Sequence, residues 1–148
     1  MGTEKMKTCY PTRHLLEKGG KLGLSTDAPA TAWAVPADPF PNIKGAVTRK
    51  AWDGTDCGED QAIDIETALI LYTKESAEIA GFKGLGQLKD GYKADFLILD
   101  RALLELSPKE IDQLSVAATD IGGLRVYLEA SNGEIDTTSK NTRADDYD

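Results

Sequence analysis

The stretch Gly86-Gln-Leu-Lys-Asp-Gly-Tyr-Lys-Ala-Asp-Phe-Leu-Ile-Leu-Asp100 carries the most information about the fold of this chain. Gly86 and Gly91 predict turns, because glycine adopts left-handed backbone conformations without a steric penalty. The apolar run from Phe96 to Leu99 has the length and composition of a buried β-strand. The stretch therefore predicts a turn-rich approach to a strand.

Downstream, the sequence predicts two more strands, Val116 to Ile121 and Leu124 to Leu128. Gly122-Gly123 lies between them, and a glycine pair between apolar runs is a hairpin signal. Upstream, apolar residues at helical spacing predict a helix from about Ile65 to Ala80. Asp64 is placed to act as its N-cap.

The N-terminal part of the chain predicts a helix followed by a strand. Pro11 suits a helix start, Gly19-Gly20 suits its end, and Lys21 to Thr26 follows as a short strand. A second helix is predicted from Asn42 to Lys50, and Ser107-Pro108 has the composition of a helix opening. Helices that alternate with strands indicate an α/β fold.

Asp27 is the carboxylate that this pattern singles out. It follows the predicted strand at its C-terminal end, which is the edge where ligands bind in parallel α/β architectures. A carboxylate there can ligate a metal or exchange a proton with a water molecule. The alternative is structural, since an aspartate before a small residue and a proline often forms a turn with its own backbone.

Residues 28–64 form a proline-rich segment with interleaved aromatic side chains, Trp33 and Phe40 among them. A long loop that carries large apolar residues is either a lid or binding loop, or a segment that covers the edge of the core. Both interpretations stay open at this point.

Composition excludes several classes of function. The formal net charge of −8 disfavours binding to nucleic acid or to an anionic membrane surface. No apolar run is long enough to span a bilayer. Cys9 and Cys57 are far apart and belong to no cysteine motif, which predicts reduced thiols and a cytoplasmic location. His14 is the only histidine, so this sequence cannot supply a histidine-rich zinc site.

Five segments in order resemble the C-terminal third of amidohydrolase family 3, in the metal-dependent hydrolase superfamily. They are Pro11 to Pro29 with its Ser-Thr-Asp27 end, Asp38-Pro39-Phe40 with Ala46 to Arg49, Thr67 to Ala77, Gly86 to Asp100, and Thr119 to Tyr127. The fourth is similar to a family pattern of the form G-x-L-x-x-G-x-x-A-D-x-x-x-L-D. The resemblance covers residues 10 to 128.

The resemblance implies a (β/α)₈ barrel with a small β-sandwich built from both chain ends, and hydrolysis of non-peptide carbon–nitrogen bonds in a small-molecule amide. It places Asp27 at the position of the catalytic aspartate, which also belongs to the metal site. The metal would be divalent, with zinc as the first candidate. Trp33 and Phe40 would lie in a loop that shapes the substrate pocket.

The resemblance also divides the chain. Residues 1–9 would be a lead-in, and 10–82 would hold the last barrel strand, the active-site loop and the following helices. Residues 83–130 would supply strands of the β-sandwich, and 131–148 would be a disordered polar tail.

The histidine ligands of the family are missing from this sequence, so we expect a C-terminal fragment that is inactive alone and binds no metal tightly. Exposed barrel-facing surface would favour self-association. The alternative is a non-catalytic α/β module that binds a partner or regulates a full-length relative.

Overall fold

The computed structural model describes residues 3–27 and 38–129, and within these ranges it combines short helices with one antiparallel sheet. The helices are α1 (Thr3–Lys7), α2 (Thr12–Glu17), α3 (Phe40–Thr48), α4 (Ile65–Ile70) and α5 (Ser76–Ile79). The strands are β1 (Phe96–Leu99), β2 (Val116–Ile121) and β3 (Leu124–Leu128). Single 3₁₀ turns occupy Glu59–Gln61, Leu103–Glu105 and Ile111–Gln113. No described helix has the length and apolar character needed to cross a membrane.

The helix predicted from Ile65 to Ala80 is present, but its middle is wider than an α-helix. Asp64 caps its start, and its carboxylate accepts a hydrogen bond of 2.7 Å from the Thr67 N–H. Between α4 and α5, Leu71–Glu75 forms a π-helical turn. The Leu71 carbonyl oxygen accepts from the Ser76 hydroxyl (2.7 Å) and from the Leu24 N–H (3.1 Å). These extra partners compete with the regular helical bonding and accompany the wider turn.

The sheet has the strand order β1-β2-β3 with antiparallel neighbours, and all three strands match the predicted ranges. Gly122 and Gly123 both have positive φ values of 58° and 79°, which is the conformation of a type I′ hairpin turn. The Asp95 carboxylate accepts a 2.6 Å hydrogen bond from the Gly122 N–H and joins this turn to the start of β1.

Two sequence predictions of regular structure were wrong. Residues 21–26 are not a β-strand, because no described strand lies beside them, and the Leu24 backbone bonds to Leu71 in the π-helical turn and to Ser76 in α5 instead. The segment after Ser107 forms a turn and one 3₁₀ turn, not an α-helix. The Ser107 hydroxyl donates to the Glu110 carboxylate at 2.6 Å, so it does not cap backbone N–H groups.

One continuous core joins α3, α4 and the residues that lead into β2. Its members are apolar and at most 7% exposed: Phe40, Ile43, Ile63, Ala68, Leu71, Leu103, Ile111 and Leu114. Leu22 and Leu24 pack against this core from the 21–27 segment. The core therefore fixes the position of that segment.

The sheet carries exposed apolar side chains on the face opposite Ala118. Leu97, Thr119 and Tyr127 align across the three strands, and Ile121 pairs with Leu124. Leu124 is 73% exposed, and the other three apolar residues of this group are about half exposed. None of the described elements covers this face, and an exposed apolar sheet face is unusual on an isolated folded unit.

Candidate functional site

A concavity of about 740 Å³ opens between the 21–27 segment and α3. Its lining includes two carboxylates, Asp27 and Asp38, the amide of Asn42, and the guanidinium of Arg49. Acidic and basic groups from distant parts of the sequence therefore meet at one surface depression. Such a convergence of polar groups in a concave site is the usual starting point for a ligand-binding hypothesis.

Asp27 lies at the rim of this concavity with an exposed side chain. Its backbone has φ of 55°, in the left-handed region that aspartate tolerates better than most residues. The Asp27 N–H donates to the Ser25 hydroxyl at 3.3 Å, so Ser25 rather than the carboxylate makes the local turn contact. Within the described part of the chain, the Asp27 side chain is thus exposed to solvent.

The residues before Asp27 are held by the π-helical turn. The Leu24 N–H donates to the Leu71 carbonyl at 3.1 Å, and the Ser76 hydroxyl donates to the Leu24 carbonyl at 2.9 Å. A side chain at Gly23 would have its Cβ 2.7 Å from the Ser76 hydroxyl oxygen, so only glycine permits this close approach. The position of Asp27 thus depends on a helix some fifty residues later in the chain.

Asn42 and Tyr72 form a polar pair beside Ser25. The Asn42 side-chain amide lies 3.4 Å from the Tyr72 hydroxyl and 3.5 Å from the Ser25 carbonyl oxygen. Partial burial raises the pKa of Tyr72, and the negative charge of Asp38 adds to the shift. Tyr72 therefore keeps its proton and remains available as a hydrogen-bond donor.

Arg49 supplies positive charge to the same wall, and within the described residues its guanidinium bonds to backbone carbonyls. One terminal nitrogen, Nη2, donates to the carbonyl oxygens of Cys9 and Cys57, each at 2.6 Å, and Nε donates to Gly58 at 3.3 Å. The residue ends α3 with a left-handed φ of 51°. Backbone carbonyls thus fix the guanidinium in place at the concavity.

The other residues predicted for the site have different placements. Phe40 is 4% exposed and belongs to the hydrophobic core. Its described contacts are those of a packing residue, so its contact with substrate stays a prediction that this placement disfavours. Trp33 lies outside the described residues. His14 is exposed on α2, and its backbone N–H donates to the Gln61 side chain at 3.1 Å.

Sequence reasoning did not assign Asp38, Asn42 or Tyr72 to the site. Tyr72 fits the apolar stripe of its helix, and Asn42 lies within a predicted helix, so neither carried a functional signal. Asp38 precedes α3, and its carboxylate accepts from the Phe40 N–H at 2.9 Å. Only the crossing of α3, the 21–27 segment and the 65–79 helix reveals that these residues are neighbours.

The described residues do not form a metal site by themselves. Within 3–27 and 38–129, no three side chains of histidine, cysteine, aspartate or glutamate gather at a spacing that could hold an ion. A catalytic zinc site needs three protein ligands and one open position. Asp27 alone offers at most one of them.

The comparisons with known proteins agree with the family resemblance seen in the sequence. Residues 1–127 match the model of a family described as the amidohydrolase family. YtcJ of Bacillus subtilis strain 168, which carries the name of an amidohydrolase, is 32% identical over 131 residues, or 86% of this chain and 24% of YtcJ. A 5-methylthioadenosine/S-adenosylhomocysteine deaminase of Bacillus cereus strain G9842 is 36% identical over 133 residues, covering 83% of this chain and 29% of the deaminase.

A solved structure agrees with these relatives. The crystal structure of an uncharacterized metal-dependent hydrolase from Pyrococcus horikoshii OT3 superposes with a TM-score of 0.60 at 36% identity. The superposition covers 74% of this chain and 22% of that protein. The chain thus spans roughly a quarter of the length of each of these proteins.

Proposed function

Because the chain belongs to the amidohydrolase family, we propose that it forms the C-terminal part of a hydrolase that cleaves non-peptide carbon–nitrogen bonds in small molecules. The observation that supports this most directly is the exposed Asp27 carboxylate at the rim of a polar concavity. The name of the Bacillus cereus relative, a deaminase, fits the same bond class. The barrel origin of residues 10–82 and the β-sandwich origin of 83–130 belong to this proposal.

In this proposal Asp27 is the proton-transfer residue. Its carboxylate accepts a proton from the attacking water and passes it to the leaving nitrogen, as a general base and then a general acid. Tyr72 offers a hydrogen-bond donor near the same concavity, the Asn42 amide lines it, and Arg49 places a positive charge on its wall. These groups suit a polar substrate. Trp33 stays a candidate for substrate contact.

A divalent metal, with zinc as the first candidate, is part of the proposal for a complete enzyme. It would supply Lewis-acid activation, and Asp27 would be one of its ligands. The described residues offer no set of three ligands that could hold it. We therefore expect the 148-residue chain to lack hydrolase activity on its own.

A chimeric enzyme tests the role of Asp27. The segment of the Bacillus cereus deaminase that aligns with this chain is replaced by the chain, and ammonia release from 5-methylthioadenosine is measured. We expect the chimera to be active and Asp27→Asn to reduce kcat at least about 100-fold. Asp38→Asn, a carboxylate change in the same concavity, is the matched control and should cost less. Retention of activity by Asp27→Asn within about threefold, well inside the loss expected for a general base, would refute the assignment.

The alternative, a non-catalytic module, is favoured by one observation, the continuous core that the described residues build by themselves. A module of this kind should be a monodisperse monomer with one cooperative melting transition. A fragment of a larger fold should instead expose apolar surface, bind a hydrophobic dye and show no sharp melting transition. Calorimetry combined with dye binding on the purified 148-residue chain distinguishes the two.

Self-association is proposed through the uncovered sheet face of Leu97, Ile121, Leu124 and Tyr127. Light scattering should show dimers or larger species for the wild-type chain. Leu124→Lys places a charge on the most exposed of these residues and should shift the distribution toward monomer. An unchanged distribution would remove this face from consideration. A cytoplasmic location stays a prediction.

A further inference from the structure

The backbones of Cys9 and Cys57, far apart in the sequence, come together around one guanidinium. Nη2 of Arg49 lies 2.6 Å from the carbonyl oxygen of each cysteine. The two oxygens can therefore be no farther apart than twice that distance. Both cysteines are free thiols and half-buried.

A second contact shows that the segments around Cys9 and Cys57 lie directly against each other. A Cβ built on Gly58 would lie 2.6 Å from the Lys7 carbonyl oxygen and 3.4 Å from the Lys7 Cα, and Gly58 has φ of 97°. There is thus no room for a side chain between the segments. Cys9 is two residues from Lys7, and Cys57 adjoins Gly58, so both cysteines flank this contact in the sequence.

Weak contacts hold each thiol in its present orientation. Cys9 Sγ lies 3.2 Å from the Lys5 carbonyl oxygen, and Cys57 Sγ lies 3.6 Å from the Thr55 carbonyl oxygen. Hydrogen bonds from S–H groups are second-order interactions. Breaking either contact by side-chain rotation therefore costs little, and the carbonyl oxygens that accept from Arg49 are backbone atoms that this rotation leaves in place.

We propose that Cys9 and Cys57 are a thiol–disulfide pair that closes when the protein meets a small-molecule disulfide such as oxidised glutathione. One cysteine thiolate attacks the oxidant, forms a mixed disulfide and releases one glutathione thiolate. The second cysteine thiolate attacks the mixed disulfide and releases the other glutathione. The protein loses two electrons and two protons, and one molecule of oxidised glutathione becomes two of the reduced form.

The bond would join the segment between α1 and α2 to the loop before the Glu59–Gln61 turn. Cys57 and Arg49 line the concavity of Asp27, so the bond would fix one wall of that concavity. The proposal goes beyond the hydrolase function and does not depend on it, because it concerns the chain's own thiols and is read out without substrate.

Equilibration of the full 148-residue chain in glutathione redox buffers tests the pair. We expect intact-mass analysis to show the loss of two hydrogen atoms, no thiols reactive to Ellman's reagent, and one cross-linked peptide that contains both cysteines. The equilibrium constant for closure in native buffer should exceed that in concentrated guanidinium chloride by at least about tenfold, because the fold brings the thiols together. The closed form should melt on the order of 5 °C higher than the reduced form.

Substitutions of the two cysteines and of Arg49 provide the controls. Cys9→Ser and Cys57→Ser should each give only a glutathione adduct, and Arg49→Lys, which removes the shared contact, should lower the closure constant toward the denatured value. The proposal is overturned if oxidised wild type carries separate glutathione adducts or intermolecular disulfides. It is also overturned if closure is no more favourable in the native protein than in the denatured chain.

Discussion

Replacing Gly86 by alanine should be among the most destabilising single substitutions in the described chain. Gly86 has φ of 80°, and a Cβ there would lie 2.7 Å from the Thr73 carbonyl oxygen and 2.8 Å from the Ala77 Cβ. The left-handed conformation costs a non-glycine residue about 1 kcal/mol. Forcing an atom against rigid helical backbone adds about 1–3 kcal/mol. The free energy of unfolding should therefore fall by about 2–4 kcal/mol.

Gly91 provides a matched control for the cost of the left-handed backbone conformation. Its φ of 82° is nearly the same, but no atom lies within 4 Å of the position that its Cβ would take. Gly91→Ala should therefore cost only about 1 kcal/mol. Urea unfolding followed by far-UV circular dichroism measures both variants on the same scale. If the two substitutions destabilise the chain equally, the predicted collision with Thr73 and Ala77 does not occur and the reasoning fails.

Two further predictions concern the same helix. Ser76→Ala removes the hydroxyl that donates to the Leu24 and Leu71 carbonyls. The substitution should lower the free energy of unfolding by about 1–2 kcal/mol and speed amide exchange at Leu24. Unchanged exchange at Leu24 would contradict this prediction. Hydrogen bonds from Thr67 hold the pKa of Asp64 below its usual value. The stability that the charged Asp64 cap adds to the fold is therefore complete above about pH 4 and is lost as the pH falls through the lowered pKa. Asp64→Asn keeps the cap without a titrating group, so its stability should change less over that acid range than that of the wild type.

Local signals predicted the strand ranges of the sheet well, although β1, which was predicted to be buried, exposes Leu97 and Ile98. Strand bounds around Gly122-Gly123 followed from an apolar run, a glycine pair and a second apolar run, and each of these acts within a few residues. The Asp64 cap was predictable for the same reason, since its partner Thr67 is three residues away. Residue type predicted these conformations because the interacting residues are only a few positions apart, although the equally local helix signal at Ser107 failed.

Features set by distant contacts were not predictable. The π-helical turn at Leu71–Glu75 accompanies a hydrogen bond from Leu24, and the irregular course of residues 21–27 follows from the same contact. Asp27 could be singled out from its position and from the family resemblance. Its neighbours Asn42 and Tyr72 could not, because each lies within a helix where its residue type needs no special explanation.

The π-helical turn marks the place where this helix should tolerate the loss of one residue. A π turn holds one residue more than the α-helical turn it replaces. Deletion of Thr73 would let an α-helix run through without interruption, and the residues on either side would keep their orientation around the helix axis. The same deletion within a regular α-helix would instead rotate every later residue by about 100°. Ser76 would therefore still face Leu24, so the frame-preserving loss of one codon here should be less damaging than the same loss within α4.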